Sequence, residues 1–143
     1  MNRLAMFLVF MFVGAFAAAG VQEKEMPSMA NMGMQMMKNC AMAVPGASVS
    51  TSDTAAGIAI DITTPADNVF ELRRRAEQMA AMYTEKSAKE AMLNDHKVAA
   101  AVTYEPIENG ARLTVIPNDP AKLIELRRQV RAHVEQMKKG GCA

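Results

Sequence analysis

"VTYEPIENGARLTVIPNDPAKLIELRRQVRAHVEQM", residues 102–137, is the stretch that decides how this chain folds. Asn109-Gly110 is a strong hairpin signal, because a type I′ turn needs positive φ at both central positions and this pair tolerates it. Centring the turn there sets Pro106 opposite Leu113 and Tyr104 opposite Val115. Val102, Tyr104, Leu113 and Val115 then share one face, as the two-residue period of a strand requires. Asp119-Pro120 reads as a helix cap followed by proline at the first helical position. Leu123, Leu126, Val130, His133 and Met137 recur at helical spacing. Lys138 and Lys139 suit a helix C-terminus, and Gly140-Gly141 ends it.

Residues 49–83, "VSTSDTAAGIAIDITTPADNVFELRRRAEQMAAMY", read alike when stacked on that stretch. Both copies share a valine, a glycine eight positions later, and the run E-L-R-R on the helix. Ile58, Ile60 and Ile62 alternate after Gly57 as a half-buried strand does, while 49–53 is a weaker strand, an edge or a loop. Thr64-Pro65-Ala66-Asp67 places a capping hydroxyl, a proline and an acid in the order that opens a helix. Val69, Leu72, Ala76, Met79 and Tyr83 form its apolar stripe. The polar stretch 84–97 reads as an extension of that helix or a short helix of its own.

One ββα unit has too little apolar surface to bury alone. The expected fold is therefore α+β, a two-layer sandwich in which a tandem ββα repeat makes a four-stranded antiparallel sheet with two helices on one face. A Met-rich segment precedes it. The expected division is 1–19 signal peptide, 20–44 Met-rich segment and 45–143 domain.

The amino end supports the first of these. Arg3 is followed by an apolar run from Leu4 to Val13, and Ala15-Phe16-Ala17 and Ala17-Ala18-Ala19 both fit an A-x-A cleavage site. This three-part pattern predicts export to the periplasm or beyond. Membrane contact is expected only if the segment stays uncleaved as an anchor. Sixteen Lys and Arg face fifteen Asp and Glu, for a net charge of +1. Nucleic acid is therefore not an expected partner, since it favours a strongly basic face. Cys40 and Cys142 are the two cysteines, and in an oxidising compartment an even count reads as a disulfide.

Chemistry concentrates before the domain. Met26, Met29, Met32, Met34, Met36, Met37 and Met42 are seven of the fourteen methionines, with Cys40 among them and Lys38 the lone charge. A thioether is soft, neutral and has no proton to lose, so it holds Cu(I) or Ag(I) at any pH and ignores hard cations. Residues 26–44 contain no leucine, isoleucine or phenylalanine, so sulfur stands where carbon would pack equally well. The segment resembles the methionine-rich motifs of exported copper-handling proteins, although it lacks the histidine that often assists them. The competing reading is a Met-faced helix, with Met29, Met32, Met36 and Cys40 on one stripe, that packs on the domain or on a partner. In that case the protein is a small envelope adaptor or a self-associating domain.

Aligning the helices through E-L-R-R sets Met79 opposite His133 and Tyr83 opposite Met137. His133 and Met137, one turn apart, form a second candidate metal pair, or simply edge the core. The arginines Arg73 to Arg75, Arg127, Arg128 and Arg131 read as a solvated face paired to Glu71 and Glu125, or as a basic strip for anionic lipid or polysaccharide. Neither His96 nor His133 sits in a nucleophile motif, and there is no phosphate-cradling loop or H-E-x-x-H. The sequence reads as non-enzymatic.

Overall fold

The structure, a computed structural model, describes residues 40–140. The signal segment 1–19, the methionines from Met26 to Met37, and Cys142 lie outside the described residues. Six main elements follow in order: β1 (Ser48–Asp53), β2 (Ile58–Thr63), α1 (Val69–Leu93), β3 (Ala100–Ile107), β4 (Gly110–Pro117) and α2 (Leu123–Gly140). The strands form one antiparallel sheet in the order β1-β2-β4-β3. The fold is α+β, a four-stranded antiparallel sheet with two helices.

The alternating isoleucines of β2 and the Leu113/Val115 pair of β4 turn one face of the sheet inward. Both helices bury their stripes against it: Leu72, Ala76, Met79 and Ala80 from α1, and Leu126, Val134 and Met137 from α2 join those strand residues in one core. α1 lies over β3 and β4 while α2 reaches β1, so each helix covers the hairpin it does not follow. The amino-terminal end of the described chain belongs to this core as well. Cys40, Ala41 and Val44 are buried around a 3-10 turn, and the Ala41 N–H donates to the Met79 sulfur at 3.2 Å.

The two sheet edges are treated differently. At β3, the Thr84 hydroxyl of α1 accepts from Val102 N–H at 3.0 Å, and Ser87 donates to Ala100 C=O at 2.8 Å and accepts from its N–H at 3.3 Å. Those side chains close the first part of that edge, at Ala100 and Val102. β1 is also an edge strand, and among the described residues its backbone makes no hydrogen bond beyond the ladder with β2.

Two local expectations are corrected. The β3–β4 turn is centred on Glu108-Asn109, one residue earlier than expected, with Ile107 opposite Gly110, Pro106 opposite Ala111 and Tyr104 opposite Leu113. Gly110 is not needed for a left-handed φ, since Gly46 is the one residue of 40–140 with positive φ. It is needed because β2 passes so close that a methyl there would strike the Ile62 carbonyl. Gly57 plays the same part at the other end of the β2–β4 ladder, against the Val115 carbonyl. The second correction concerns Thr64. It does not cap α1; it is buried and donates to Pro45 C=O at 2.9 Å, and a 3-10 turn, Ala66–Asn68, leads into the helix. Asp119 does cap as expected, accepting from Ala121 N–H at 3.0 Å.

The candidate functional site

The repeated E-L-R-R run is the first place to look for chemistry, and its arginines are engaged. Arg73 donates through Nε to Gly110 C=O at 3.0 Å and through Nη2 to Ile107 C=O at 2.5 Å, gripping the β3–β4 turn. Arg127 does the reciprocal, donating through Nε to Gly57 C=O at 3.2 Å and through Nη2 to Thr54 C=O at 2.6 Å. Each helix is thus locked to the hairpin beneath it by a planar fork that lysine cannot copy. Glu71 takes Arg74 and Arg75, Glu125 takes Arg128, and Asp53 takes Arg131. Hydrogen bonds from Arg74 and Arg75 hold the Glu71 carboxyl down at about 2. Those from Arg128 and Gln129 do the same for Glu125, also to about 2. Arg112 forks onto Asp61 across β2 and β4 at 2.7 and 2.8 Å. Every arginine of the described residues therefore has an acceptor.

Of the expected metal ligands, Cys40 and Met42 fall within the described residues. Cys40 is 3% exposed and disulfide-bonded; the chain's other cysteine, Cys142, lies outside the described residues. Met42 is half-buried against the core. Met26, Met29, Met32, Met34, Met36 and Met37 lie outside the described residues. Among the described residues no group of three or more His, Cys, Asp or Glu side chains is arranged to hold a metal ion.

His133 and Met137 are both placed. Met137 is buried in the core, and His133 Nε2 lies 3.0 Å from the Tyr83 hydroxyl, the two rings meeting edge to face. Burial disfavours the imidazolium of His133, and the positive charges of Lys86 and Lys97 push the same way, so its pKa is lowered. Burial raises the pKa of Tyr83. The pair is a neutral, mutually satisfied polar contact at neutral pH.

That contact borders a feature no sequence signal announced. A cavity of about 220 Å³ opens between α1, α2 and the sheet. Its floor is Ile60, Ile62, Leu113 and Val115, with Leu126, Val130, Met79 and Met137 around it. Lys86, Glu90, Lys97 and Gln129 stand at its mouth, with the Tyr83–His133 contact in its wall. Its residues look like ordinary core positions in the sequence; only their failure to close against one another makes a site.

No helix of the described residues is long and apolar enough to cross a membrane. No family model matches the chain, and no curated protein or solved structure matches it.

Proposed function

We propose that this is an exported, periplasmic-type, non-enzymatic protein that binds a soft metal ion, Cu(I) or Ag(I), through the thioethers of its Met-rich segment. The observation that carries the reading is compositional: seven methionines between Met26 and Met42, with no leucine, isoleucine or phenylalanine from 26 to 44. Soft neutral donors at short spacing let one segment gather several sulfurs around a single ion. The surroundings narrow the ligand set. Cys40 is disulfide-bonded and Met42 packs on the core, so Met26, Met29, Met32, Met34, Met36 and Met37 are the donors. Cys40 joins them only when reduced. The ββα-ββα domain, read as two copies of one unit, is the carrier; its reciprocal Arg73 and Arg127 contacts support that reading of the repeat. His133 and Met137 are not proposed as a second metal pair, since one is hydrogen-bonded to Tyr83 and the other is buried.

The test is an anaerobic competition titration of the full chain against a Cu(I) chelator, beside a Zn(II) titration. Sub-micromolar Cu(I) binding with little Zn(II) binding supports the reading. Equal binding by a chain lacking 26–37 overturns it.

The unequal sheet edges favour one further reading, a self-associating or adaptor domain. Thr84 and Ser87 cover β3 at Ala100 and Val102, whereas β1 offers an open row of backbone groups to a strand from a partner or a second copy. Proline placed in turn at Ser50 and Thr51, one of which directs its N–H away from β2, tests it. A dimer that survives chelators and is lost in one of the two variants supports self-association; a monomer at millimolar concentration refutes it.

A further inference from the structure

The 220 Å³ cavity opens at a polar mouth over an apolar floor of Ile, Leu and Val, the form that small-ligand sites take. An apolar cavity of about 150 Å³ is enough to take up benzene. The fold also has a way of filling such a gap. On the far side of Met79, Cys40, Ala41 and Val44 are packed in, bonded through Ala41 N–H to Met79 and through Cys40 C=O to Arg75. Aligning the helices through E-L-R-R puts Gln129 and His133 at the positions of Arg75 and Met79. Both of those residues border the cavity, and among the described residues Tyr83, not a buried turn, meets His133.

The mouth carries a net positive charge, two lysines against Glu90. Lys86 has a loose pair with Glu90, at 3.6 Å, and Lys97 has no carboxylate partner among the described residues. Gln129, beside them, is already held by His96 C=O and Glu125. An apolar interior closed by a net cationic rim suits a ligand with a hydrocarbon body and one negative end.

We propose that the cavity between α1, α2 and the sheet binds a small amphipathic carboxylate. Its ring or short alkyl chain lies on Ile60, Ile62, Leu113 and Val115, and its carboxylate meets Lys97 and Lys86. Scaling from benzene, the volume takes roughly nine heavy atoms. That is below the usual range for drug-sized pockets, so long fatty acids are excluded and short ones admitted. This site is independent of the Met-rich segment.

The test uses the full chain with octanoate and 3-phenylpropanoate as anionic probes and octan-1-ol as the neutral match. Amide chemical shifts locate binding and calorimetry measures it. The expected result is saturable shifts at Val98, Ala100, Val130 and His133, with octanoate bound at least about tenfold more tightly than octan-1-ol, the size of one charge-assisted contact. Lys97→Glu, an exposed change that leaves the core alone, should remove that preference. Val130→Phe should abolish binding of all three probes by filling the cavity, with the amide spectrum verifying that it folds. Equal affinity for octanoate and octan-1-ol overturns the anionic assignment. Absence of shifts at millimolar octanoate, or shifts elsewhere only, overturns the site.

Discussion

Arg127→Ala is the substitution that most sharply separates a structural arginine from a decorative one. Its side chain is 22% exposed and makes two hydrogen bonds to the β1–β2 turn, at 3.2 and 2.6 Å, plus a longer contact of 3.4 Å to Asp53. A hydrogen bond to a charged group contributes about 1.5 to 3 kcal/mol when both partners are shielded. Here both hydrogen bonds are part-buried, and the Gly57 carbonyl keeps the Thr54 N–H at 3.2 Å, which offsets part of what is lost. Asp53 keeps Arg131 at 2.7 Å, so no carboxylate is left unpaired. The expected loss is therefore about 2 to 3 kcal/mol in total. For a body of this size that lowers Tm by about 10 to 20 °C. Arg127→Lys keeps the charge but not the fork, and should fall between wild type and alanine. The control is the next residue. Arg128 is 70% exposed and its pair with Glu125 is screened by solvent, so Arg128→Ala should lower Tm by far less than Arg127→Ala. Thermal unfolding of the three variants, with hydrogen exchange at 54–58 to place the damage, is the assay. If Arg127→Ala and Arg128→Ala melt together, the arginine grip on the hairpins is not what the E-L-R-R run is for.

Three other outcomes follow from the same structure. Gly57→Ala and Gly110→Ala each drive a methyl into a backbone carbonyl of the neighbouring central strand, so both should unfold the domain or cost more than about 3 kcal/mol, measured by urea denaturation. Glu71 and Glu125 should titrate near 2 by carboxyl NMR. Because their pKa values are depressed on folding, the stability they bring is present above the ordinary glutamate range and disappears as pH falls from about 4.5 towards 2. High salt should shrink that dependence, since both pairs face solvent. Peptide mapping should join the Cys40 peptide to that of Cys142, and reduction should cost about 4 to 5 kcal/mol for a loop on the order of 100 residues; no change in Tm on reduction would contradict this.

The sequence made the order of elements legible because each carries a local signal. Alternating isoleucines marked β2, apolar residues at helical spacing marked both helices, and Asp119-Pro120 marked the start of the second. Glu71 and Glu125 were visible as arginine partners for the same reason, since three and four residues is one helical turn. What stayed hidden depends on contacts distant in the chain. Asn109-Gly110 has the composition of a type I′ turn, yet the glycine is there for the approach of β2, so the register moved by two. Thr64 looked like a cap and turned out to be anchoring Pro45. Arg73 and Arg127 reach carbonyls 37 and 70 residues away, and nothing in their neighbourhood separates them from Arg74 and Arg128. The one usable clue was that both occupy the same place in E-L-R-R. The cavity had no clue at all, because Ile60, Leu113 and Leu126 spell core whether or not the space between them is filled.

The claim that sulfur, rather than bulk, is what the Met-rich segment supplies can be tested by one exchange. Met29, Met32, Met34 and Met36 are replaced together by leucine in the full chain, which keeps size and apolarity and removes the thioether. Anaerobic Cu(I) competition is then measured against wild type. The metal reading predicts sub-micromolar binding by wild type and a loss of at least about a hundredfold in the variant, with Tm unchanged. Equal competition by the two chains, or none by either, would mean that the methionines pack or dock and that the protein does not handle copper through them.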